Sequence, residues 1–408
     1  ASWVLIPSRD AVGATSKAYT VGGTLRYRQN GVLVTVPLAD VPITVHPQPL
    51  LTLQYFHQRD VYSDDPFTPE VEPSIPYALG IMVRNDGYGQ ARSFRITSSQ
   101  PQIVENERGL LIDFKLIGTQ VAGEEISPSL TANFGSINAA DIKVARWLFT
   151  SSLQGLFIDY SAKFEHIDSL GNPRLSLIDN VSIHEMIHQV EAQGGLGDGK
   201  PDFLVNDVPD VRDMPDTLYL SQGGTNHVEV VEWASVDSAP SASDLVVELT
   251  ATMSSGWTYL RVPEPSNGSM RLGRVVRSDG RELPIDKTWW VTDRTFEGMG
   301  RRPTRENILH LLDDDSTGRY TLYYNTPAGE DHVAPTSAVG VLPARSPRDI
   351  GVAWSGTDDA SGVAGFDIYV SEDGGPYALW LGNTTLRGAL YRGTMGRTYR
   401  FYSVATDM

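Results

Sequence analysis

Alternation of apolar and polar side chains is the dominant pattern along this chain. Between residues 245 and 253 every odd-numbered position is apolar, whereas Glu248, Thr250 and Thr252 lie at even-numbered positions. A period of two residues predicts a β-strand with one buried face. A second signal lies in residues 24–46, where two β-rich runs flank Gln29-Asn30-Gly31. An Asn-Gly pair between such runs is the strongest short signal for a β-hairpin.

Short runs rich in β-branched and aromatic residues recur further along the chain, at 320–324, 366–370 and 399–404. Such runs are typical of strands. Long stretches with a helical period are nearly absent. The pattern therefore predicts an all-β fold, built as a row of β-sandwiches.

Clusters of proline, glycine and polar residues predict three domain boundaries. They lie at 46–49, in the glycine-rich stretch 194–199 and at 327–335. We therefore predict four units, at residues 1–48, 49–193, 194–329 and 330–408. The first unit is too short for a complete sandwich, so we interpret it as the tail of a preceding domain. Because residues 406–408 fall within a predicted strand, we interpret the chain as a piece of a longer polypeptide.

Charge and cysteine content exclude several classes of function. The 408 residues include 33 Lys and Arg against 50 Asp and Glu, a formal net charge of −17. Nucleic acids and anionic membranes are bound by basic surfaces, so we expect neither as a partner. There is no cysteine, which excludes disulfides, thiolate metal sites and cysteine nucleophiles. No apolar run approaches the roughly 18 residues that a membrane-spanning segment needs.

Residues 77–100 combine an apolar strand, a turn and a returning strand in one motif. They read YALGIMVRNDGYGQARSFRITSSQ, with the strand ending at Asn85 and Gly87 and Gly89 following. We expect these three residues to form a tight turn with positive φ angles. The segment resembles the V-x-N-x-G-x-x-x-A motif of the cell-adhesion-related domain found in bacteria. The resemblance implies an extracellular immunoglobulin-like β-sandwich at 49–193, used as a spacer or adhesion module.

The carboxy-terminal region carries a longer set of motifs. They are VAWSG at 352–356, DDASGV at 358–363, FDIYV at 366–370 and YRFYSVATD at 399–407. Residues 332–408 resemble a fibronectin type III-like domain of large bacterial secreted proteins, without its last strand. The resemblance implies that Trp354 and Tyr399 are core residues. The predicted fold class is thus all-β, with tandem immunoglobulin-like and fibronectin type III-like β-sandwiches.

His184, Glu185 and His188 form an H-E-x-x-H motif in the run VSIHEMIHQV at 181–190. On a helix, residues four apart share a face, so both imidazoles would reach one Zn²⁺. The glutamate would be the general base for zinc-bound water. The resemblance to zinc proteases implies an alternative function, a zinc metallopeptidase with accessory β-sandwiches.

The surrounding sequence favours a strand with surface histidines over this zinc site. A metzincin continuation needs Gly at 191 and His at 194, but the chain has Glu191 and Gly194. No glutamate occurs at 192–228, so an aspartate would have to be the third ligand, from among Asp202, Asp207 and Asp210. The segment also alternates as a strand does. We therefore assign no catalytic residue and predict that the chain is not an enzyme.

Two further sites have weaker signals. Residues 197–205, GDGKPDFLV, resemble the tail of a calcium loop, with Asp198, Asp202 and Asp207 as candidate Ca²⁺ ligands. An acidic interdomain loop is the simpler interpretation, and we predict that no cofactor is required. An exposed indole would indicate a glycan-binding module, and the candidates are Trp257, Trp289 and Trp290.

Taken together, the sequence predicts a non-enzymatic structural or adhesive segment of a large extracellular or cell-surface protein. The expected partners are other domains of the same long chain, further copies of the chain, and cell-surface or glycan ligands. Calcium at aspartate-rich junctions is the one metal compatible with this interpretation, and zinc belongs only to the peptidase alternative.

Overall fold

The computed structural model describes most of the chain, at residues 5–65, 68–69, 72, 74–96, 114–126, 128–156, 177–208, 214–241, 243–295, 304–325, 335–357 and 363–407. Within these ranges the helical segments are two short 3-10 turns, Arg9–Ala11 and Gly194–Leu196, and the other regular structure is β. The all-β prediction is confirmed. A search of the same residues for a helix of membrane-spanning length and hydropathy found none.

The amino-terminal arm consists of two antiparallel ribbons. Its strands are β1 (Lys17–Val21), β2 (Thr24–Gln29), β3 (Val32–Pro37) and β4 (Val41–Val45). Strand β1 pairs with β4, and β2 pairs with β3. The turn between β2 and β3 is the predicted Asn-Gly turn, with φ of 50° at Asn30 and 81° at Gly31. Two successive positive φ angles give the turn a twist that matches the flanking strands, and the hairpin prediction is confirmed.

A nine-stranded sheet forms the largest layer of the molecule. The strands of this part of the chain are β5 (Leu51–Gln58), β6 (Asp60–Val61), β7 (Tyr77–Asn85), β8 (Ala91–Ile96), β9 (Phe114–Val121), β10 (Glu124–Ile126), β11 (Ala132–Ile137), β12 (Ile142–Ser151), β13 (Gly155–Leu156), β14 (Ile178–Val190), β15 (Asp202–Asn206), β16 (Thr217–Tyr219) and β17 (Thr225–His227). Their order in the sheet is β10-β9-β12-β7-β5-β14-β15-β16-β17. Strands β8 and β11 form a separate pair, as do β6 and β13.

Strand β14 joins the two halves of this sheet. Residues 178–186 pair in parallel with β5, and residues 185–190 pair antiparallel with β15. The sheet therefore crosses the boundary predicted at residue 193. The glycine-rich stretch is a connection that returns the chain to the same sheet, with Gly194 and Gly199 at positive φ. Glycine content alone does not distinguish such a turn from an interdomain linker.

One side of the nine-stranded sheet carries the first core. Leu53, Tyr55, Leu79, Ile81 and Trp147 from the sheet are all buried there. The β8–β11 pair covers them with its own apolar side chains, at Ala91, Ile96, Ala132, Phe134 and Ile137. This is the facing-sheet arrangement of a β-sandwich.

Asn85 holds the turn of the motif at 77–100 through its side-chain hydrogen bonds. Residues 97–100 of this motif lie outside the described ranges. It is fully buried, and its side chain makes five hydrogen bonds, to Leu50 N, Gly87 N, Gly89 O, Ile137 O and Asn138 O. The expectation of positive φ angles is wrong, because none of Asn85, Gly87 and Gly89 is among the residues with positive φ. The glycines are required for another reason. A Cβ at either one would overlap the backbone of residues 47–50, which runs directly across the turn.

A second sandwich packs against the far half of the nine-stranded sheet. Its strands are β18 (Glu229–Val231), β19 (Ala234–Val236), β20 (Val246–Ala251), β21 (Trp257–Pro263), β22 (Arg271–Arg277), β23 (Glu282–Leu283), β24 (Trp289–Thr292), β25 (Ile308–Asp314) and β26 (Arg319–Asn325). They form a four-stranded sheet, β18-β21-β25-β24, and a five-stranded sheet, β19-β20-β26-β22-β23. The predicted alternation in β20 is confirmed, with Val247, Leu249 and Ala251 buried.

The four-stranded sheet is the middle of three layers. On one face, Leu260 and Leu311 belong to the core shared with the five-stranded sheet. On the other face, Tyr259 and Trp290 pack with Leu204 of the nine-stranded sheet. Both faces of β21 and β25 are therefore covered by protein.

The carboxy-terminal module contains two three-stranded sheets around a separate core. Its strands are β27 (Thr336–Val339), β28 (Asp349–Thr357), β29 (Val363–Glu372), β30 (Ala378–Thr384), β31 (Gly388–Arg392) and β32 (Tyr399–Asp407), in the orders β27-β28-β31 and β30-β29-β32. Trp354 is buried in this core and Tyr399 is half-buried. Residues 358–362 of the predicted motif lie outside the described ranges.

Candidate functional site

The H-E-x-x-H motif lies on the extended strand β14, and a β-bulge separates its two histidines. Met186 pairs with Val205, whereas His188 pairs with Leu204, so Ile187 is an additional residue in the ladder. Side chains alternate between the two faces of a strand, and one additional residue reverses the alternation. The strand interpretation of this segment is confirmed.

As a result of the bulge, the two imidazoles occupy opposite faces of the sheet. His184 stacks on Phe56 with ring centroids 5.3 Å apart. His188 stacks on Trp290 on the other face, at 3.9 Å. These two ring contacts leave both histidines half-buried. The prediction that they lie on the surface is therefore corrected. Imidazoles on opposite faces do not bind one metal ion together.

Glu185 is held by an arginine rather than directed at a histidine. Its carboxylate lies 3.0 Å from Arg59 Nε, and both side chains are mostly buried. Within the described ranges, no group of three or more His, Asp or Glu residues could hold a metal ion. Asp210, a candidate third zinc ligand, lies outside those ranges.

Replacing Glu185 by Gln is expected to reduce stability rather than to abolish peptide hydrolysis. The substitution removes the ionic partner of Arg59, which should lower the free energy of unfolding by about 1–3 kcal/mol. Urea unfolding, combined with metal analysis after dialysis, measures both properties. Glu282→Gln, which breaks an exposed ion pair with Arg274, is the matched control and should have little effect. One zinc per chain, lost in His184→Ala, would contradict the expectation.

Ser182, His184 and Asp207 form a continuous hydrogen-bonded chain. His184 Nδ1 lies 2.6 Å from Asp207 Oδ1, and His184 Nε2 lies 2.9 Å from Ser182 Oγ. Because a carboxylate can only accept, Nδ1 carries the imidazole proton in this arrangement. In the neutral ring, Nε2 is then the acceptor, and the Ser182 hydroxyl donates to it.

Tyr219 completes this cluster from the neighbouring strand β16. Its hydroxyl donates a 2.5 Å hydrogen bond to Asp207 Oδ2. Burial raises the pKa of Tyr219 well above its ordinary value, and the bond to Asp207 acts in the same direction. The phenol therefore stays protonated as a donor. The rings of Tyr219 and Phe56 both contact the ring of His184, and they contact each other, which restricts the orientation of the imidazole.

A second group of aromatic residues lines a cleft of about 200 Å³ between the nine-stranded and four-stranded sheets. The rings of His188, Trp290 and His310 form a stack, with centroids 3.9 and 5.0 Å apart. His310 bonds to Tyr259 through Nδ1 at 2.7 Å and to Thr292 through Nε2 at 2.8 Å. Burial lowers the pKa of His188 to about 4 and that of His310 well below its ordinary value. Both imidazoles are therefore neutral at pH 7.

Asp202 stabilises the loop between β14 and β15. Its carboxylate is buried and accepts 2.7 Å hydrogen bonds from the backbone amides of Ala192 and Ser221. Burial raises the pKa of Asp202, and the two amide donors oppose that effect. Both oxygens thus have a structural role in holding two loops together.

The other two candidate calcium ligands have different partners. Asp198 accepts hydrogen bonds from Ser221 Oγ and forms an ion pair with Lys200 at 2.7 Å. The structure therefore brings Asp198 and Asp202 together around Ser221. Asp207 belongs instead to the His184 cluster, and the three carboxylates do not converge on one point.

The tryptophans proposed as sugar contacts are all buried. Trp257, Trp289 and Trp290 are 7%, 2% and 7% exposed. Both faces of Trp290 are covered by imidazole rings. Among the described tryptophans the exposed indole is Trp233, at 69%, which the sequence pattern did not single out.

The Ser182–His184–Asp207 cluster was also missed by the sequence analysis. One signal was available, because Ser182 and His184 are two residues apart on a predicted strand and so share a face. No local pattern placed Asp207 beside them. Comparison of the chain with protein-family models, curated proteins and solved structures found no match.

Proposed function

We propose that this chain is a structural and adhesive segment of a large extracellular multidomain protein, in which β-sandwich modules act as spacers. The observation that carries the proposal is the position of β14. This strand pairs with β5 along its first part and with β15 along its last part. Tension along the polypeptide would therefore act on the backbone hydrogen bonds of both halves of the nine-stranded sheet together.

The amino-terminal arm supports the same proposal. Leu25 pairs with Val36 and Tyr27 with Val34, so these four side chains share one face of the β2–β3 ribbon. Leu25, Tyr27 and Val36 are 50%, 42% and 38% exposed. An apolar face of this kind normally packs against another layer. The proposed cover is a neighbouring module of the same long chain.

Two resemblances of sequence contribute to the proposal. The proposed modules are immunoglobulin-like at 49–193 and fibronectin type III-like at 330–408, and both resemblances imply an extracellular or cell-surface location. The peptidase and glycan alternatives lack comparable support. The two motif imidazoles lie on opposite faces, and the candidate tryptophans are buried.

Pulling the chain by its ends is expected to unfold residues 49–325 in one step. Because β14 couples both halves, that step should release about 1,000 Å of chain, at up to ~3.6 Å per residue. The carboxy-terminal module should unfold separately and release about 260 Å. Single-molecule force spectroscopy measures these lengths directly.

A proline substitution provides the sharper test of the shared strand. Ile183→Pro places a proline within the shared strand, where it disrupts the pairing with β5, and this should divide the long step into two of roughly 500 Å. Val236→Pro is the matched control, because Val236 is equally exposed, at 42%, but lies on the edge strand β19. Two separate steps in the unmodified chain would overturn the proposed coupling.

A further inference from the structure

Ser182 has the surroundings of an activated nucleophile. Nucleophilic serines require a general base on the hydroxyl and a third group that orients the base. His184 Nε2 lies 2.9 Å from Ser182 Oγ, and Asp207 bonds to the opposite ring nitrogen at 2.6 Å. The tautomer that this geometry imposes is the one that accepts the serine proton.

The cluster is ordered yet open to solvent. His184 retains 12% side-chain exposure and Asp207 26%, while Ser182 is half-buried. Asp207 is fixed through both oxygens, by His184 and by Tyr219. The cluster therefore lies at the solvent-facing surface of the sheet, where a small electrophile would have to approach it.

Two side-chain amides project from the same sheet face beside Ser182. Gln54 is its register partner on β5, and Asn180 lies two residues earlier on β14, opposite Thr52. Within the described part of the chain, neither amide makes a hydrogen bond through its side chain. Asn and Gln amides are common donors to an oxyanion that develops on an attacked carbonyl. These two are the candidates for that role.

We propose that Ser182 accepts the acyl group of a carboxylic ester, with His184 as general base and Asp207 as the residue that positions it. This activity goes beyond the structural role proposed above and does not rest on it. As the Oγ–carbon bond forms, the hydroxyl proton passes to His184 Nε2. The carbon–oxygen bond of the ester then breaks, and the leaving alcohol takes that proton.

Water completes the reaction by the same route. It attacks the acyl carbon and gives a proton to Nε2, and Ser182 leaves as the hydroxyl by taking that proton. The products are a carboxylic acid and an alcohol, and no external oxidant or reductant is needed. The nine-stranded sheet supplies the base and the nucleophile from one strand, and the loop after β15 supplies the carboxylate.

Covalent labelling of the full chain by a fluorophosphonate tests the proposal. Attack by Oγ on phosphorus releases fluoride and leaves a stable adduct, which peptide mass spectrometry should locate at Ser182. Ser182→Ala should abolish that adduct. His184→Gln should slow labelling by about 10²–10⁴-fold, the usual contribution of a general base. Ser235→Ala is the matched control, since Ser235 is exposed and its hydroxyl bonds only to Thr250 O among the described residues, and labelling should be unchanged.

Further variants separate catalysis from folding. Asp207→Asn and Tyr219→Phe should slow labelling while the far-UV spectrum and the melting temperature are retained. A burst of one nitrophenol per chain from p-nitrophenyl acetate would show acylation by an ester. Absence of an adduct at Ser182, or labelling at an unchanged rate in a folded His184→Gln variant, would overturn the proposal.

Discussion

Replacing Asn85 by Ala is expected to lower the free energy of unfolding by about 3–5 kcal/mol. The substitution leaves five buried backbone groups without the partner that the amide provides. Each buried group that loses its hydrogen bond costs about 1–3 kcal/mol, reduced where water can enter. Urea unfolding followed by tryptophan fluorescence measures the change, with Trp147 reporting from the adjoining core.

Two other substitutions define the cause of that loss. Asn85→Asp keeps the side-chain acceptor for two amides but loses the donor to three carbonyls, so an intermediate loss is expected. Asn226→Ala is the matched control. Asn226 is half-buried and makes no side-chain hydrogen bond within the described residues, so its loss should be within about 0.5 kcal/mol of zero. Equal losses for Asn85 and Asn226 would contradict the role assigned to the turn.

Acidification from pH 7 to pH 4 is expected to destabilise the chain through the buried His57 and His310 and the half-buried His188. Burial lowers the pKa of His57 to about 4, as it does for His188, and it lowers the pKa of His310 well below its ordinary value. An unfolded imidazole has a pKa near 6.5, so below that pH the unfolded state binds more protons than the folded state. Stability is therefore fully present above about pH 6.5 and decreases as the pH falls toward 4. The loss at pH 4 is on the order of 3 kcal/mol each for His57 and His188.

Chemical unfolding at a series of pH values measures this slope. His57→Gln should make the profile shallower between pH 6.5 and 4. One ion-paired carboxylate acts in a lower range. Arg277 lowers the pKa of Asp279 to about 2, so that group affects stability only below about pH 4. A free energy of unfolding that does not change from pH 7 to 4.5 would contradict this expectation. It would show that the imidazoles are protonated in the folded state without loss of stability.

Local signals in the sequence were sufficient for the strands and for one hairpin. The alternation in β20 and the Asn-Gly turn between β2 and β3 depend on neighbouring residues, and the structure contains both. The glycines after Asn85 show the limit of such reasoning. The sequence correctly marked these positions as ones that need glycine. The physical reason is that the backbone of residues 47–50, from elsewhere in the chain, leaves no room for a Cβ.

The candidate site depended on contacts that no local pattern contains. Whether His184 and His188 share a face is decided by a bulge, and the bulge is defined by the register with β15. The parallel pairing of β14 with β5 joins residues more than 120 positions apart. Asp207 reaches His184 only because β15 folds back beside β14. Long-range pairing therefore decided which polar residues meet, although residue types alone had identified His184, His188 and Asp207.

The three-layer packing has a consequence for how such modules can be exchanged in evolution. Strands β21 and β25 have protein on both faces, so neither face tolerates polar substitutions freely. Duplication or transfer of the second sandwich alone would expose the apolar side chains of Tyr259 and Trp290, which now pack against the nine-stranded sheet. Recombination within this part of the chain would therefore be selected against. The unit that can be shuffled is the pair of sandwiches, inherited together.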